Sequence, residues 1–371
     1  MTSREVAGSS AAAGMDPREQ QVLDRIERAR RRKPKVKEDL ITLAHGSGGK
    51  ATQTLVDAVF VDSFRNELLE KLDDAAELAV GQSRIAFTTD SFVVSPLFFP
   101  GGNIGELAVN GTVNDLAVSG AKPLFLSAGF IIEEGFPVAE LTRVVDSMAD
   151  AACRAGVQVV TGDTKVVQRG KADGCYINTA GIGVRQTEHQ LGAGSIRPGD
   201  AVLVSGPVGD HGITVMLARG ELDIDSDVVS DTAALHELVD GLLRAVPGVR
   251  VLRDPTRGGV ATVLNELARA AGVSVLLDEQ AVPVRTEVRG AAELLGIDPL
   301  YVACEGRAVA VVDGAQADAA LAALRSHPLG EQAAIIGRIT TEPPGMVLAQ
   351  TAFGGTRIVD VLVGDPLPRI C

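Results

Sequence analysis

The chain of 371 residues ends in a cysteine, and a thiol in that place has an unusual freedom. Cys371 follows Pro368-Arg369-Ile370, and residues 363–371 contain two prolines, each of which holds its own φ and restricts its predecessor. The spacing predicts an extended tail, over residues 358–371, that spans at most about 26–29 Å from Val363. Such a tail suits a swinging arm whose thiolate is modified in one place and processed in another. Burial of the terminus in a core is not expected, and a chance terminal cysteine is the plainer alternative. The other cysteines, Cys153, Cys175 and Cys304, are not spaced like a metal site or a disulfide framework. Cys153 sits in a helical pattern and Cys175 beside strand residues, where both read as small buried hydrophobes.

A second group of residues points to phosphate and hard cations. In His45-Gly46-Ser47-Gly48-Gly49-Lys50 the glycines let backbone N–H groups turn inward, a cradle for phosphate oxygens. The same string also reads as a plain flexible loop with Lys50 solvated. Acidic side chains stand where apolar runs begin or end: Asp73 and Asp74, Asp90, Asp115 beside Asn114, and Asp163. Each alone is an ordinary turn or capping residue. Several in one domain suit a cation such as Mg²⁺, which takes oxygen ligands from carboxylates and phosphate. In Gly162-Asp163-Thr164-Lys165 the lysine could steady a developing negative charge or be a surface residue. Asp254-Pro-Thr-Arg257-Gly-Gly259 opens a helix, whose N-terminus offers free N–H groups; Asp254 or Thr256 is the candidate cap.

These residues need rigid elements behind them. Apolar runs predict strands at 85–88, 124–132, 157–161, 176–184, 201–205, 273–277 and 307–312. Asp90 and Asp163 then fall at strand ends. Helical spacing covers 103–120, with Asn103 as N-cap, Gly120 past the end, and one apolar face made by Ile104, Leu107, Ala108, Val113, Leu116 and Ala117. Glu106, Asn110 and Asn114 share another face. Further helices are expected at 138–155, 212–219, 258–271 and 315–325. The pattern loosens near residue 190, which divides the chain into domains at 39–188 and 189–357. Each mixes strands and helices without regular βαβ alternation, so the fold class is α+β.

Composition bounds the function. Hydrophobic residues are 46% and charged residues 22%, a globular balance, and aromatics are only 3%, so the core must be aliphatic. The net charge of −13 argues against general nucleic-acid binding, which needs a basic surface. Only residues 1–38 are basic, at +4, and read as an unstructured leader or short solvated helix; Met15 is an alternative start. No apolar run is long enough to span a membrane and no signal segment opens the chain, which suggests a cytoplasmic protein.

Together, His45–Lys50, Thr89-Asp90-Ser91 through Pro123, Gly162–Lys165, Asp254–Gly259 and the terminal Pro368-Arg369-Ile370-Cys371 resemble the carbamoyl dehydratases of nickel–iron hydrogenase maturation, the HypE family, from about residue 43 to Cys371. The terminal motif is the specific one, since sister families of the same PurM-like (AIR synthetase-like) fold lack it. The resemblance implies two domains, the first lending strands to a homodimeric barrel. It implies ATP and Mg²⁺ near the Gly-rich loop, at His45–Lys50, Asp74, Asp90, Asn114, Asp115 and Asp163, with Asp73, Asp74, Asp90, Asp115 and Asp163 as metal candidates. It implies that Cys371 is loaded with a carbamoyl group by the carbamoyltransferase HypF and dehydrated to a thiocyanate. The cyano group then goes to iron on the HypC–HypD scaffold complex. Lys165 and Glu305 become the candidates for orienting or deprotonating the thiocarbamate. Where that family has Ala-Asn-Glu-Gly, this chain reads Ala303-Cys304-Glu305-Gly306, which makes Cys304 a candidate off-pathway thiol. Competing readings are a small-molecule phosphorylating relative, of the selenophosphate synthetase or thiamine-monophosphate kinase type, and a non-catalytic maturation scaffold. The Gly-rich loop lacks the reactive cysteine that selenophosphate chemistry needs.

Overall fold

A computed structural model describes residues 36, 38–185, 187–220, 226–362 and 369–371. The basic leader expected over 1–38 lies almost wholly outside the described residues, as do 363–368 of the expected tail.

The first half starts with the Gly-rich loop and a short helix, α1 (Lys50–Leu55), which continues through a π-helical stretch to Phe64. Five strands follow: β1 (Ala76–Val80), β2 (Ser83–Phe92), β3 (Ala121–Glu133), β4 (Gln158–Val167) and β5 (Cys175–Arg185). They form one sheet in the order β1-β2-β5-β3-β4, antiparallel except for the parallel pair β3–β4. Two helices, α2 (Ile104–Val118) and α3 (Val138–Ala155), cover one face. Period-2 alternation in β5 turns Cys175, Ile177 and Thr179 toward α2 and leaves Ile182 outside.

The two helices begin and end as their sequences require. Asn103 caps α2 by accepting from the N–H groups of Gly105 and Glu106, and Gly156 closes α3 in the left-handed region at φ 65°. One expectation fails on α2. Its apolar stripe is not the only buried face, because Asn110 and Asn114 on the other side are 3% and 1% exposed. The helix is enclosed by the sheet, by α3 and by the second half of the chain, so nearly every residue is covered. Gly105 is required for that closeness, since a Cβ there would lie 2.3 Å from the Val144 carbonyl oxygen.

The second half is a seven-stranded mixed sheet with helices. Its elements are β6 (Ala201–Val204), α4 (Asp210–Ala218), α5 (His236–Ala245), β7 (Val249–Arg253), α6 (Gly259–Ala271), β8 (Ser274–Asp278), α7 (Thr286–Leu295), β9 (Val309–Val312), α8 (Ala317–Arg325), β10 (Ala334–Thr340), β11 (Met346–Gln350) and β12 (Thr356–Ile358). The strand order is β12-β11-β8-β10-β6-β9-β7, with only β8 and β11 parallel. The halves share a hydrophobic core in which Ile104, Leu107 and Val113 of α2 meet Ile213 and Val215 of α4, together with Ile370 and Cys371.

Two strands run further than their apolar signals. β2 extends to Phe92, so Asp90 lies within it rather than at its end. β4 extends to Val167 through parallel pairing with β3, which sets Asp163 opposite Gly129 and Lys165 opposite Ile131. Nine of the ten residues of β4 are exposed, so no apolar alternation marks its full length.

Candidate functional site

Three chain segments bring acids together. Asp74 precedes β1, Asp115 lies on α2, and Asp254 follows β7; one carboxylate oxygen from each lies within 4.8 Å of the other two. The Thr88 hydroxyl, facing inward from β2, sits 2.6 Å from Asp115 Oδ2 and 2.9 Å from the Asp74 carbonyl oxygen. Asp90, two residues further along β2, points the same way and lies close enough to raise the pKa of Asp115. Burial is the first cause of the upward shifts and mutual repulsion the second. Asp74 is pushed up to about 6, and Asp115 and Asp254 well above the usual carboxylate range. Arg253 offsets part of this, with Nε 3.0 Å from Asp74 Oδ1. Three converging oxygen donors, Asp254 buried and Asp74 and Asp115 half-buried, suit a small divalent cation, whose charge would replace the protons.

A cleft of about 930 Å³ opens beside the cluster, lined by Asp74, Thr88, Arg185, Arg197 and Arg253 among others. That volume is in the range of a nucleotide-sized ligand site.

The Gly-rich loop closes another side. Gly48 and Gly49 are needed for close backbone approach: a Cβ on Gly48 would lie 2.6 Å from the Arg257 carbonyl oxygen, and one on Gly49 2.6 Å from that of Leu362. The Lys50 N–H donates to Leu362 O, and Arg257 Nη1 donates to Gly46 O at 3.1 Å. His45 is buried, with Nδ1 held by the Thr42 amide and hydroxyl; Ser47 bonds back to Ala44 O. The loop is thus clamped to the Arg257 turn and to the root of the tail.

The turn itself differs from expectation. Neither Asp254 nor Thr256 caps α6; Gly258, at φ 83°, occupies the N-cap and no side chain bonds there. Asp254 is therefore free to face the other acids. Arg257 faces Cys371, Asp90 and Glu305, which raise the pKa of its guanidinium.

Cys371 is the larger correction. It is 8% exposed, not projecting, because Ile370 is itself a core residue and the last three residues are held by hydrogen bonds. Val93 N–H donates to Cys371 O and Ser95 N–H to Arg369 O, both at 3.1 Å; Arg369 also pairs with Asp173. Burial pushes the Cys371 thiol up to about 12, with Arg257 opposing. Glu305 is 2% exposed and its Oε1 has no hydrogen-bond partner among the described residues; burial first, then Asp254, Asp231 and Asp90, hold it well above the usual carboxylate range. Asn114 reaches the site through this residue, its Nδ2 donating to the carbonyls of Ala233 and Glu305 and its Oδ1 accepting from Leu235 N–H.

Not every sequence candidate converges. Asp73 stays at the rim, 3.9 Å from Arg253 Nη1. Asp163 and Lys165 are exposed on β4 and paired with each other, outside the cluster. Cys304 is fully buried; its sulfur accepts from Gly209 N–H at 3.3 Å, and its thiol pKa is raised by burial, as for a packed core side chain. Cys153 corrects the other way, exposed on α3, whereas Cys175 is buried. The residues that spacing missed are Asp254 and Arg257. Their motif was visible, but its helix-opening pattern concealed that it turns back onto Gly48.

Known proteins resemble this chain over most of its length. Residues 72–185 match the family described as AIR synthase related protein, N-terminal domain, and 197–348 match its C-terminal domain. A carbamoyl dehydratase HypE from Cupriavidus necator is 53% identical over 337 residues, covering 91% of this chain and 96% of that protein. The Escherichia coli carbamoyl dehydratase HypE is 51% identical, covering 89% and 99%. Among solved structures, a HypE–HypF complex aligns with TM-score 0.79 at 49% identity over 83% of this chain and 99% of that one. HypE in complex with ATP aligns with TM-score 0.76 at 47% identity over 90% and 100%. A thiamine-monophosphate kinase from Aquifex aeolicus, at 19% identity and TM-score 0.61, shares the fold alone. With identity above one half across nine-tenths of its length, and with both halves of the AIR synthase fold, this chain belongs to the HypE family of carbamoyl dehydratases.

Proposed function

We propose that the chain dehydrates a carbamoyl group carried on its own Cys371 to a thiocyanate at the expense of ATP, with Mg²⁺ as the metal, to supply the cyanide ligands of the nickel–iron hydrogenase iron centre. The observation that carries this reading is the position of the terminal sulfur, buried against Arg257 and Glu305 beside the acid cluster. The reaction converts S–C(=O)–NH₂ to S–C≡N: the oxygen leaves with the phosphate of ATP, and both N–H protons are lost. When bound, ATP supplies the phosphoryl group that makes that oxygen a leaving group, and Mg²⁺ offsets the charge of the phosphates and of Asp74, Asp115 and Asp254.

The protein's own contribution is placement and proton handling. The docked tail brings the reacting group into a dry pocket, so the reaction is intramolecular in effect. Arg257 presents positive charge where the carbamoyl oxygen becomes anionic. Glu305, held above the usual carboxylate range by burial first and by Asp254, Asp231 and Asp90 next, gains acidity where a cation offsets the negative charge of these neighbours and can then take an N–H proton. A small-molecule kinase reading loses ground because the place of an external acceptor is filled by the chain's own terminus.

Partners follow from the same reading. The outer face of the first sheet carries Phe87, Ile182 and Phe125 aligned across three strands, each about two-fifths exposed, beside the open edge β4 with Val159, Val160 and Val166. A homodimer would cover this face, and the exposed Asp163 and Lys165 then belong to a site shared with the second copy. HypF loads Cys371 and the HypC–HypD complex receives the cyanide. No helix among the described residues is long and apolar enough to cross a membrane, in keeping with the proposed cytoplasmic location.

The test is mass spectrometry of the C-terminal peptide after incubation with HypF, carbamoyl phosphate and ATP. Cys371 gains a carbamoyl mass and then loses one water only when ATP is present. Modification at Cys304, or water loss in a Cys371→Ala protein, would overturn the reading.

A further inference from the structure

We propose that His211 is a positioning residue for this reaction: by donating from Nε2 to the Ile370 carbonyl it sets how deeply the tail docks and so where the Cys371 sulfur stands. The proposal rests on Cys371 being the carrier.

The last three residues are held from two sides, with Arg369 in the left-handed region at φ 55°. The carbonyls of residues 369 and 371 face residues 93–95, where Ser95 N–H and Val93 N–H meet them. The Ile370 carbonyl instead meets a buried side chain, in the interior, where an unmet acceptor is costly. His211, at the start of α4 and 0% exposed, meets it. Two strand-like bonds alone would not stop a short tail from sliding; a single buried donor on the opposite side fixes the register.

The ring is locked for that task. A carbonyl oxygen only accepts, so Nε2 carries the proton. Nδ1 then accepts from the Ser230 hydroxyl at 2.8 Å, and Ser230 Oγ accepts from Thr232 N–H at 3.1 Å. The edge-to-face contact with Phe99, at 5.4 Å between centroids, fixes the ring plane. The segment that holds His211 also holds the proton acceptor: Asp231 Oδ1 accepts from Glu305 N–H at 3.0 Å, and Ala233 N–H donates to Glu305 O at 3.3 Å. Tail depth and Glu305 are thus referred to one strap. At the far end of α4, Arg219 adds a bond to Arg369 O at 2.8 Å.

The test measures docking and chemistry separately. Docking is read as protection of Cys371 from iodoacetamide, by mass spectrometry of the C-terminal peptide of the full-length protein. Chemistry is read as single-turnover dehydration of carbamoylated protein with ATP. His211→Ala is expected to speed alkylation and slow dehydration, each by about tenfold or more, as loss of one buried hydrogen bond implies. The thermal shift given by ATP should stay as in the unsubstituted protein. His211→Gln, whose amide N–H can reach the same carbonyl, should recover most of both. If His211→Ala does not fold, Ser230→Ala leaves the ring in place but frees its tautomer, and should show the same changes more weakly. Wild-type protection and wild-type dehydration in these variants overturn the proposal, as does slowed dehydration with protection intact, or a glutamine variant as defective as the alanine one. Altered protection in a protein that never dehydrates Cys371, even unsubstituted, would sink the functional reading while leaving the docking role standing.

Discussion

Gly162-Asp163-Thr164-Lys165 and Asp254-Pro255-Thr256-Arg257 are made of the same parts, an acid, a threonine and a cation, yet they end in opposite surroundings. On β4 the acid is fully exposed, and its bond to Lys165 holds its pKa below the ordinary value. After β7 the acid is buried, and burial first, then Asp74 and Asp90, drive its pKa upward, while Arg257 is turned toward the thiol and Glu305. The difference lies in what the rest of the chain packs against each turn. The first completes nothing within one copy; the second is complete once the Gly-rich loop, α2 and the tail have closed over it.

The sharpest way to break this contrast is Asp254→Asn. Dehydration should fall on the order of 10²–10³-fold, as for loss of a group that stabilises charge in a transition state. Stability should move the other way. A carboxyl whose folded pKa is raised contributes stability that is full below its unfolded pKa and is lost as pH rises through the folded one. The asparagine never ionises, so the nucleotide-free variant should melt no lower than the parent at neutral pH, while stabilisation by ATP with Mg²⁺ disappears. Scanning calorimetry with and without nucleotide measures both.

The β4 turn is tested by complementation. Lys165→Ala and Glu305→Gln should each lower dehydration by about a hundredfold. If Lys165 serves the second copy, mixing the two inactive proteins and letting dimers exchange restores activity in about a quarter of the sites, since only mixed dimers hold an intact one. A mixture that stays inactive places Lys165 elsewhere.

Smaller effects separate the thiols. Docked Cys371 titrates at about 12, against about 8.5 for a free thiol, so docking is favoured fully below the free value. Above it, docking weakens by about tenfold per pH unit until the docked value is reached. Alkylation of Cys371 followed against pH should therefore rise more steeply than for the exposed Cys153. Cys304→Ala should cost roughly 1–2 kcal/mol of stability with dehydration little changed, since the sulfur fills core space and no reacting atom touches it. Chemical unfolding gives the first figure.

How much of this was readable beforehand depends on whether the cause is local. The helix over Val138–Ala155 and the Asn103 cap are local matters of spacing and capping, and sequence alone places them. Strand β4 escaped in part because both its faces are exposed in one chain, leaving no alternation to read. Asp74, Asp90 and Asp115 stood out as acids at apolar boundaries, but nothing in their spacing says that Asp254, not Asp163, joins them. That depends on the contact of Gly48 with Arg257 across the fold. His211 had no signal at all, being a single histidine in an apolar helix. The burial of Cys371 was hidden because the tail reads as extended and proline-restricted, and nothing in that spacing marks the bonds from Val93 and Ser95 that hold Cys371 and Arg369.

The most direct test follows the nitrile itself. Infrared spectra of the carbamoylated protein should gain a thiocyanate C≡N band on addition of ATP, shift that band when the carbamoyl carbon is ¹³C, and show no band in a Cys371→Ala protein. A band that forms without the terminal sulfur, or ATP consumed while the carbamoyl group persists on Cys371, would contradict the account.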